Sequence, residues 1–339
     1  MVTIKQIAET AGVSSSTVSR ILNDDTSLSV SSATRQAVLE TAHKLKYVKR
    51  RKDTSMKKVC HVAVITVFSE AREATDAYWR QIYLSIEKHA RQIGVVIDDV
   101  IRMAQGIDQQ TIAAYDAIII LGDISQQAIF TIKQMNPHLV LVDSKAHDDD
   151  DIDVVEPEMA KMTAKILDDF YTAGRRHIGF IGGTNELFEL DGTTKGSAAD
   201  VRETVYQQWI AAHQLTPYSY TGAWHVETGS QGASALLDDE PDIDALLVAS
   251  DPIAIGAINA LKMRGLEPGK DIDIVSFDNL ELAAYLVPAL TTVDLKPEIL
   301  GQQALIQACD LAQNKRDWAV WTTIPSRLIY RETLTVMKK

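Results

Sequence analysis

From residue 59 to residue 312, short apolar and β-branched runs alternate with longer stretches of helical period, and this alternation restricts the possible folds more than any other feature. The runs 59–67, 95–100, 117–121, 139–142, 177–181, 245–249 and 272–277 are expected to be strands. The stretches 78–92, 158–172, 199–213, 253–264 and 297–312 are expected to be helices. Strands joined by helices pair in parallel, and strands that are apolar nearly throughout are buried on both faces. The pattern therefore predicts an α/β body of doubly wound parallel sheets. Ligands of such sheets sit beyond the carboxyl ends of the strands. That rule selects the loops 69–78, 182–202, 250–252 and 278–280.

The first 23 residues follow a different pattern, that of two short amphipathic helices joined by a tight turn. Thr3 and Gln6 make a capping box, Gly12 supplies the turn, and Ser14 caps the next helix. Ile4, Ile7, Ala8 and Ala11 face Val18, Ile21 and Leu22, which leaves Ser15, Ser16, Ser19 and Arg20 pointing away. Short polar side chains with one arginine suit a major groove. A third helix from Ser31 carries Val38, Ala42 and Leu45 inward. The result is an all-α helix-turn-helix head, with an ordinary three-helix cap as the alternative.

Charge agrees with a DNA-reading head. Residues 1–58 hold 11 Lys and Arg against 5 Asp and Glu, a net +6, whereas residues 59–339 carry −18. The overall balance of −12 hides a basic head on an acidic body, and phosphate contact depends on the local field. Lys49, Arg50, Arg51 and Lys52, followed by Lys57 and Lys58, form the densest basic stretch. It is either a phosphate-binding tether or a solvated linker.

A head of this size leaves enough of the 339 residues for a two-lobed body. No apolar run approaches the roughly 20 residues that span a bilayer. The helix-turn-helix starts too close to residue 1 to leave room for a signal peptide, so a cytoplasmic location is expected. Cys60 and Cys309 lie far apart in sequence and indicate neither a disulfide framework nor a zinc site. His147 with Asp148 to Asp151 resembles a metal cluster by composition, but a solvated acidic loop accounts for it. Gly179 to Gly183 lacks the full G-x-G-x-x-G spacing, and neither a G-K-[ST] loop nor a G-x-S-x-G elbow occurs. No enzyme activity, metal or cofactor is expected.

Several loop residues are placed to meet a small molecule. Arg202 opens a helix, where its planar fork can grip two adjacent hydroxyls or a carboxylate, or else form a surface salt bridge with Asp200 or Glu203. Asp278 directly follows a strand. Tyr78 and Trp79 offer a flat stacking face for a sugar ring, or belong to the core.

The chain resembles the bacterial lactose and galactose repressor family (LacI/GalR). The motifs that carry the resemblance are IAETAGVSSSTVSR at 7–20, VSSATR at 30–35, HIGFIGG at 177–183, DVR at 200–202, ASDPIAIG at 249–256, FDN at 277–279 and PALTTV at 288–293. They occur in order across nearly the whole chain, and the body is most like the repressors of galactose and β-galactoside operons. The resemblance implies a homodimer whose heads read a pseudo-palindromic operator, with a periplasmic-binding-protein-like body that holds a sugar between its lobes. It implies a helix-turn-helix domain at 1–47, a basic hinge at 48–58 and an effector-binding and dimerisation body at 59–339. Within that body an N-lobe takes 59–155 and 291–320, and a C-lobe takes 156–290 and 321–339, with crossings near 156, 290 and 320.

Base-reading positions of the family fall on Ser15, Ser16 and Arg20, and phosphate-contacting ones on Thr3, Ser14, Thr17, Ser19, Asn23 and Thr34. Its effector-gripping arginine falls on Arg202 and its sugar-hydroxyl acceptor on Asp278. Ser250 stands where asparagine is common. The hinge departs from the family, because Tyr47 is followed by Val48, Lys49, Arg50 and Arg51 rather than by Pro-Asn and an Ala-Arg-x-Leu helix. Met56 falls where the wedging leucine would be, and methionine can serve as an apolar wedge. The expectation is a hinge that holds DNA mainly through phosphates. The chain ends without the leucine-heptad tail of tetrameric relatives, so a dimer is expected. The resemblance further implies a repressor of a sugar-utilisation operon, galactose or lactose, released from its operator by the sugar. A purine-like corepressor response and a sugar-binding protein without DNA binding are the alternatives.

Overall fold

The structure, a computed structural model, describes residues 3–22, 30–45, 59–69, 77–144 and 150–335, apart from the side chains of His43 and Gln109. The chain forms two compact units, Met1–Lys58 and Val59–Lys339. In the first, helices α1 (Ile4–Ala11), α2 (Ser15–Leu22) and α3 (Ser32–Lys44) close on a core of Ile7, Ala8, Val18, Ile21, Val38 and Ala42. The caps are those read from the sequence. Gln6 N donates to Thr3 Oγ1 at 3.3 Å and Thr3 N donates to Gln6 Oε1 at 2.9 Å, so two groups that helix geometry leaves unpaired are satisfied. Gly12 ends α1 at φ 68, a left-handed conformation that glycine adopts without steric cost. Thr17 N donates to Ser14 Oγ at 3.1 Å, and Thr34 N to Ser31 Oγ at 3.0 Å.

The body runs β1 (His61–Thr66), α4 (Ala77–Ile93), β2 (Val96–Arg102), α5 (Gln109–Ile112), β3 (Ala117–Leu121), α6 (Gln126–Met135), β4 (Leu139–Val142) and β5 (Asp153–Pro157). It continues α7 (Met159–Thr172), β6 (Ile178–Gly183), β7 (Asn185–Phe188), β8 (Thr194–Ala198), α8 (Val201–Ala212), β9 (Tyr218–Gly222), α9 (Val226–Asp239), β10 (Ala245–Val248) and α10 (Asp251–Met263). It ends β11 (Asp273–Phe277), β12 (Thr291–Asp294), α11 (Pro297–Ala312), β13 (Trp321–Ile324) and β14 (Arg327–Ile329). One sheet has the order β13-β5-β4-β3-β1-β2, the other β14-β12-β11-β10-β6-β9, and β7 and β8 pair as a separate antiparallel hairpin. All pairings in the two large sheets are parallel except β12 with β14. Strands β3, β4, β6, β10 and β11 are buried along their whole length, as their apolar runs require.

The lobe boundaries differ from the expected ones. β12 belongs to the second sheet, so the chain crosses back to the first lobe after Asp294 rather than near 290. β13 belongs to the first sheet, so the last crossing follows Ile324 rather than 320. The cause is that a short run such as Thr-Thr-Val-Asp carries no local mark of the sheet it joins. Helix α11 lies with the first lobe, where a Cβ on Gly301 would stand 2.4 Å from the Ile82 carbonyl oxygen of α4. Cys60 and Cys309, remote in sequence, meet in this lobe. The neighbouring Cys60 thiol and burial together push the Cys309 thiol well up.

Helices α9 and α10 cross backbone to backbone. A Cβ on Gly229 would stand 1.8 Å from the Ile253 carbonyl oxygen, and one on Gly256 would stand 1.8 Å from that of Val226. Both glycines are required by the close approach, because the clashing atoms are main chain. At the start of α10, Asp251 ties three elements together. Its carboxylate accepts from Ser276 Oγ of β11 at 2.5 Å, Thr292 Oγ1 of β12 at 2.7 Å and the Leu280 amide at 2.7 Å. Burial pushes this carboxyl up to about 6 against the hydrogen bonds that favour its charged form.

Gly229→Ala is expected to cost about 2–3 kcal/mol by overpacking and to lower Tm by roughly 5 °C, read by calorimetry; an unchanged Tm would show that the helices part freely. For Asp251 the folded value lies above the ordinary 3.8, so its contribution to stability is complete below the unfolded value and is lost as pH rises through about 6. Asp251→Asn should abolish that component. Denaturant titrations from about pH 4 to about pH 7 should show stability falling more steeply with pH in the parent than in the variant, and equal slopes would refute the assignment.

Candidate functional site

The strand order of the first sheet reverses between β1 and β3, and that of the second between β6 and β10. Such switch points splay the loops that follow the strands and open a crevice between them. Here the loops after β1, β3, β4, β6, β10 and β11 all contribute to one cavity of about 760 Å³, part of it open to solvent. Tyr78, Trp79, Arg202, Ser250 and Asp278, the five residues expected to meet a ligand, all line it.

Arg202 sits in the first turn of α8, and Asp200 is the N-cap. Asp200 Oδ1 accepts from the Arg202 amide and from Nε, both at 2.8 Å, while Oδ2 accepts from Nη2 at 2.6 Å. Nη1 donates to the Ala249 carbonyl at 2.6 Å. The sequence left open a ligand grip or a surface salt bridge; the pair with Asp200 is formed, but it is buried, with Arg202 only 7% exposed and Asp200 5%. Burial alone would pull the guanidinium down and the carboxyl up. Their mutual charge and hydrogen bonds overcome it, raising Arg202 and lowering Asp200. Of the five N–H donors of a guanidinium, three are engaged in this way.

The Trp224 ring lies 5.1 Å from the Arg202 guanidinium and that of Phe277 5.4 Å. A Cβ on Gly183 would stand 2.2 Å from the Trp224 indole, so the Gly-Gly pair closing β6 makes room for a ring rather than for a phosphate. Trp224 Nε1 donates to Asn185 Oδ1 at 3.0 Å. Across the cavity Phe68 and Trp79 stack with centroids 4.5 Å apart. Tyr78 is buried and donates to Asp143 Oδ2 at 2.9 Å; burial and the Asp143 charge push its phenol well up. It is thus both core and cavity wall.

Asp278 has φ 104 and Asn279 φ 52, conformations that cost a non-glycine residue of order 1–3 kcal/mol. The surroundings enforce them. The Asp278 amide donates to the Val293 carbonyl at 2.9 Å, the Leu280 amide to Asp251 at 2.7 Å, and Arg331 Nη2 to Asn279 Oδ1 at 2.6 Å. Ser250 caps α10, its Oγ accepting from Ile253 N at 3.4 Å, which gives the hydroxyl a local task.

Asp123 and Asp143 also line the cavity, 8% and 9% exposed, and sequence reasoning missed both. The strand-end rule would have found them, since they follow 117–121 and 139–142. Trp224 was missed as well and had no sequence mark, whereas Phe188 lies in the selected loop 182–202 but was not singled out. Among the described lining residues Arg202 is the only cation, against Asp123, Asp143, Asp200, Asp278 and Glu186.

In the head, Ser15, Ser16 and Arg20 are exposed on α2, whereas Thr17, Ser19 and Thr34 are half-buried. Thr3 and Ser14 are exposed and serve as helix caps, and Ser14 Oγ also meets Ser16 Oγ at 2.7 Å and Thr17 Oγ1 at 2.8 Å. Asn23, Lys49, Arg50, Arg51 and Met56, and with them the whole hinge, lie outside the described residues.

Residues 3–49 match the model of bacterial regulatory proteins of the lacI family, and residues 167–334 that of the periplasmic binding protein-like domain. The chain is 32% identical over 340 residues to the HTH-type transcriptional regulator GanR of Bacillus subtilis (strain 168), covering 98% of this chain and all of the relative. It is 33% identical over 316 residues to the HTH-type transcriptional regulator GalR of Lacticaseibacillus casei, covering 91% and 92%. Among solved structures, the transcriptional regulator CelR–cellobiose complex superimposes with a TM-score of 0.70 at 20% identity, over 98% of this chain and 100% of that one. The lac repressor dimer bound to operator and the anti-inducer ONPF gives 0.68 at 23% identity, over 98% and 99%. At such identities the structures speak for the fold. Together with the full-length relatives and the helix-turn-helix head, they establish that this chain belongs to the lacI family of bacterial DNA-binding transcriptional regulators.

Proposed function

We propose that the chain represses a sugar-utilisation operon, that it holds a neutral saccharide of the galactoside type in the cleft between its lobes, and that this ligand releases it from a pseudo-palindromic operator. The observation that carries the choice of ligand is the charge of the cavity. Its arginine is already committed to Asp200, while three further buried aspartates face the same space. Carboxylates accept hydroxyl hydrogen bonds and repel phosphate and carboxylate. Aromatic faces at Trp79 and Trp224 suit the apolar face of a sugar ring. The cellobiose held by CelR and the operator held by the lac repressor dimer support the same pairing of ligand and DNA.

On this view the chain binds and does not catalyse. Ser15, Ser16 and Arg20 read bases. Thr3, Ser14, Thr17, Ser19, Asn23, Thr34, Lys49, Arg50 and Arg51 meet phosphates, and Met56 wedges the minor groove. The amide end of α2 adds a favourable dipole for phosphate. Met263, Leu282, Tyr285 and Val287, 63–90% exposed, give the second lobe an apolar surface that a second copy would cover in a homodimer. No helix among the described residues is long and apolar enough to cross a membrane.

A gel shift on the chain's own upstream DNA, at fixed salt, tests the assignment with galactose, lactose, their phosphorylated forms, galacturonate and purines. Release by the neutral sugars is expected, with the anionic forms at least ~tenfold weaker, a difference of about 1.4 kcal/mol. Arg202→Lys, which cannot reproduce the planar fork, should keep operator binding and lose the response. A shift strengthened by a purine would replace induction with corepression, and the absence of any specific shift would overturn the DNA-binding role.

A further inference from the structure

The β7–β8 hairpin grows out of the second lobe, yet its far end is bound to the first. The Ser125 amide donates to the Phe188 carbonyl at 3.0 Å and the Ile107 amide to the Leu190 carbonyl at 2.8 Å. Ile124 and Phe188 form a parallel bridge, and Ser125 Oγ donates to Glu189 Oε2 at 2.8 Å. At the tip Gly192 has φ +84, and a Cβ there would stand 2.9 Å from the Ala104 carbonyl oxygen and 3.0 Å from that of Met103. Opposite it, a Cβ on Gly106 would meet the Asp191 carbonyl at 3.4 Å. Two backbones therefore touch across the lobe boundary.

We propose that this hairpin is an interlobe clasp, whose engagement closes the cleft and whose release opens it. The same hairpin supplies Asn185, Glu186 and Phe188 to the cavity wall, and β8 leads within two residues to Asp200 and within four to Arg202. Engagement at the tip and the shape of the wall are thus one mechanical unit. Ser125, Glu189 and Gly192 are positioning residues that touch no ligand. They fix how far the wall stands from the loop at Gly122 and Asp123 on the other lobe, and they bias which lobe arrangement is populated. A ligand that prefers the closed cleft favours the engaged clasp, and a weakened clasp lowers the fraction of chains competent to hold it.

The proposal takes the cleft as the effector site, but its test needs no effector, so an unresponsive sugar panel and an unresponsive clasp are separate results. Ser250→Cys places a thiol on the cavity wall, and its labelling by N-ethylmaleimide in the full chain reports how open the cleft is. Adding Gly192→Val, which forces a side chain against the Ala104 carbonyl, should accelerate labelling at least ~tenfold by raising the open fraction. Cys60 and Cys309, buried in the first lobe, serve as internal controls and should remain unlabelled in both backgrounds. Equal labelling of Ser250→Cys with and without Gly192→Val would overturn the clasp. Should Gly192→Val expose Cys60 and Cys309 too, Glu189→Ala, which deletes the partner of Ser125 and inserts nothing, decides by the same comparison.

Discussion

An ion pair buried at the start of a helix organises this site. Taking a guanidinium and a carboxylate out of water costs several kcal/mol for each ion, and the cost is offset only where geometry is close and the remaining donors are satisfied. Asp200 and Arg202 meet that condition with two side-chain hydrogen bonds, while the same carboxylate caps α8 and the same guanidinium takes the Ala249 carbonyl at the end of β10. Removing either partner would strand a charge at a cost of about 3–5 kcal/mol. The pair thereby fixes three things at once: the entry of α8, the end of a central strand and the face against which Trp224 lies. It also sets the character of the cavity, because an arginine already held by a carboxylate is a poor trap for a free anion.

The buried strands were legible because a strand covered on both faces must be apolar throughout, and runs such as Ala117–Leu121 permit little else. What the sequence hid were elements whose residues answer to distant partners. Helix α9 is absent from the expected helices because Gly229 and Gly232 interrupt its helical pattern, and Gly229 is there because α10 passes within contact of its backbone. Strand β9, Tyr-Ser-Tyr-Thr-Gly, is the edge of its sheet and only half-buried, so it lacks the apolar run. In the site, Arg202 and Asp278 were reached through motifs. Asp143 was not, although Tyr78, 65 residues away in sequence, donates its hydroxyl to it. A hydrogen bond between remote loops leaves no local pattern, and only the position of Asp143 after a strand could have marked it. The helix caps at Thr3 and Ser14 lie at the other extreme, since their partners are three residues away.

Nothing in this arrangement makes a ligand act on DNA by itself. An effector shifts an equilibrium only by its difference in affinity for two lobe arrangements, and the operator must discriminate between the same two. Coupling of that kind usually amounts to about 1–3 kcal/mol and is reciprocal. A net hydrogen bond is worth about 0.5–1.5 kcal/mol, so the bonds at Ser125, Ile107 and Glu189 are together of the size that such coupling requires. Three short crossings after Pro157, Asp294 and Ile324 let the lobes move against one another, and a hairpin spanning the gap opposes that movement. A contact of this energy is strong enough to define a closed state and weak enough for a bound sugar, which favours the engaged clasp, to shift the balance. Phe188 and Leu190 of the hairpin add apolar contact with the first lobe's core around Ile65, Met103 and Ile124, and without any such contact the wall of the cavity would have no fixed position.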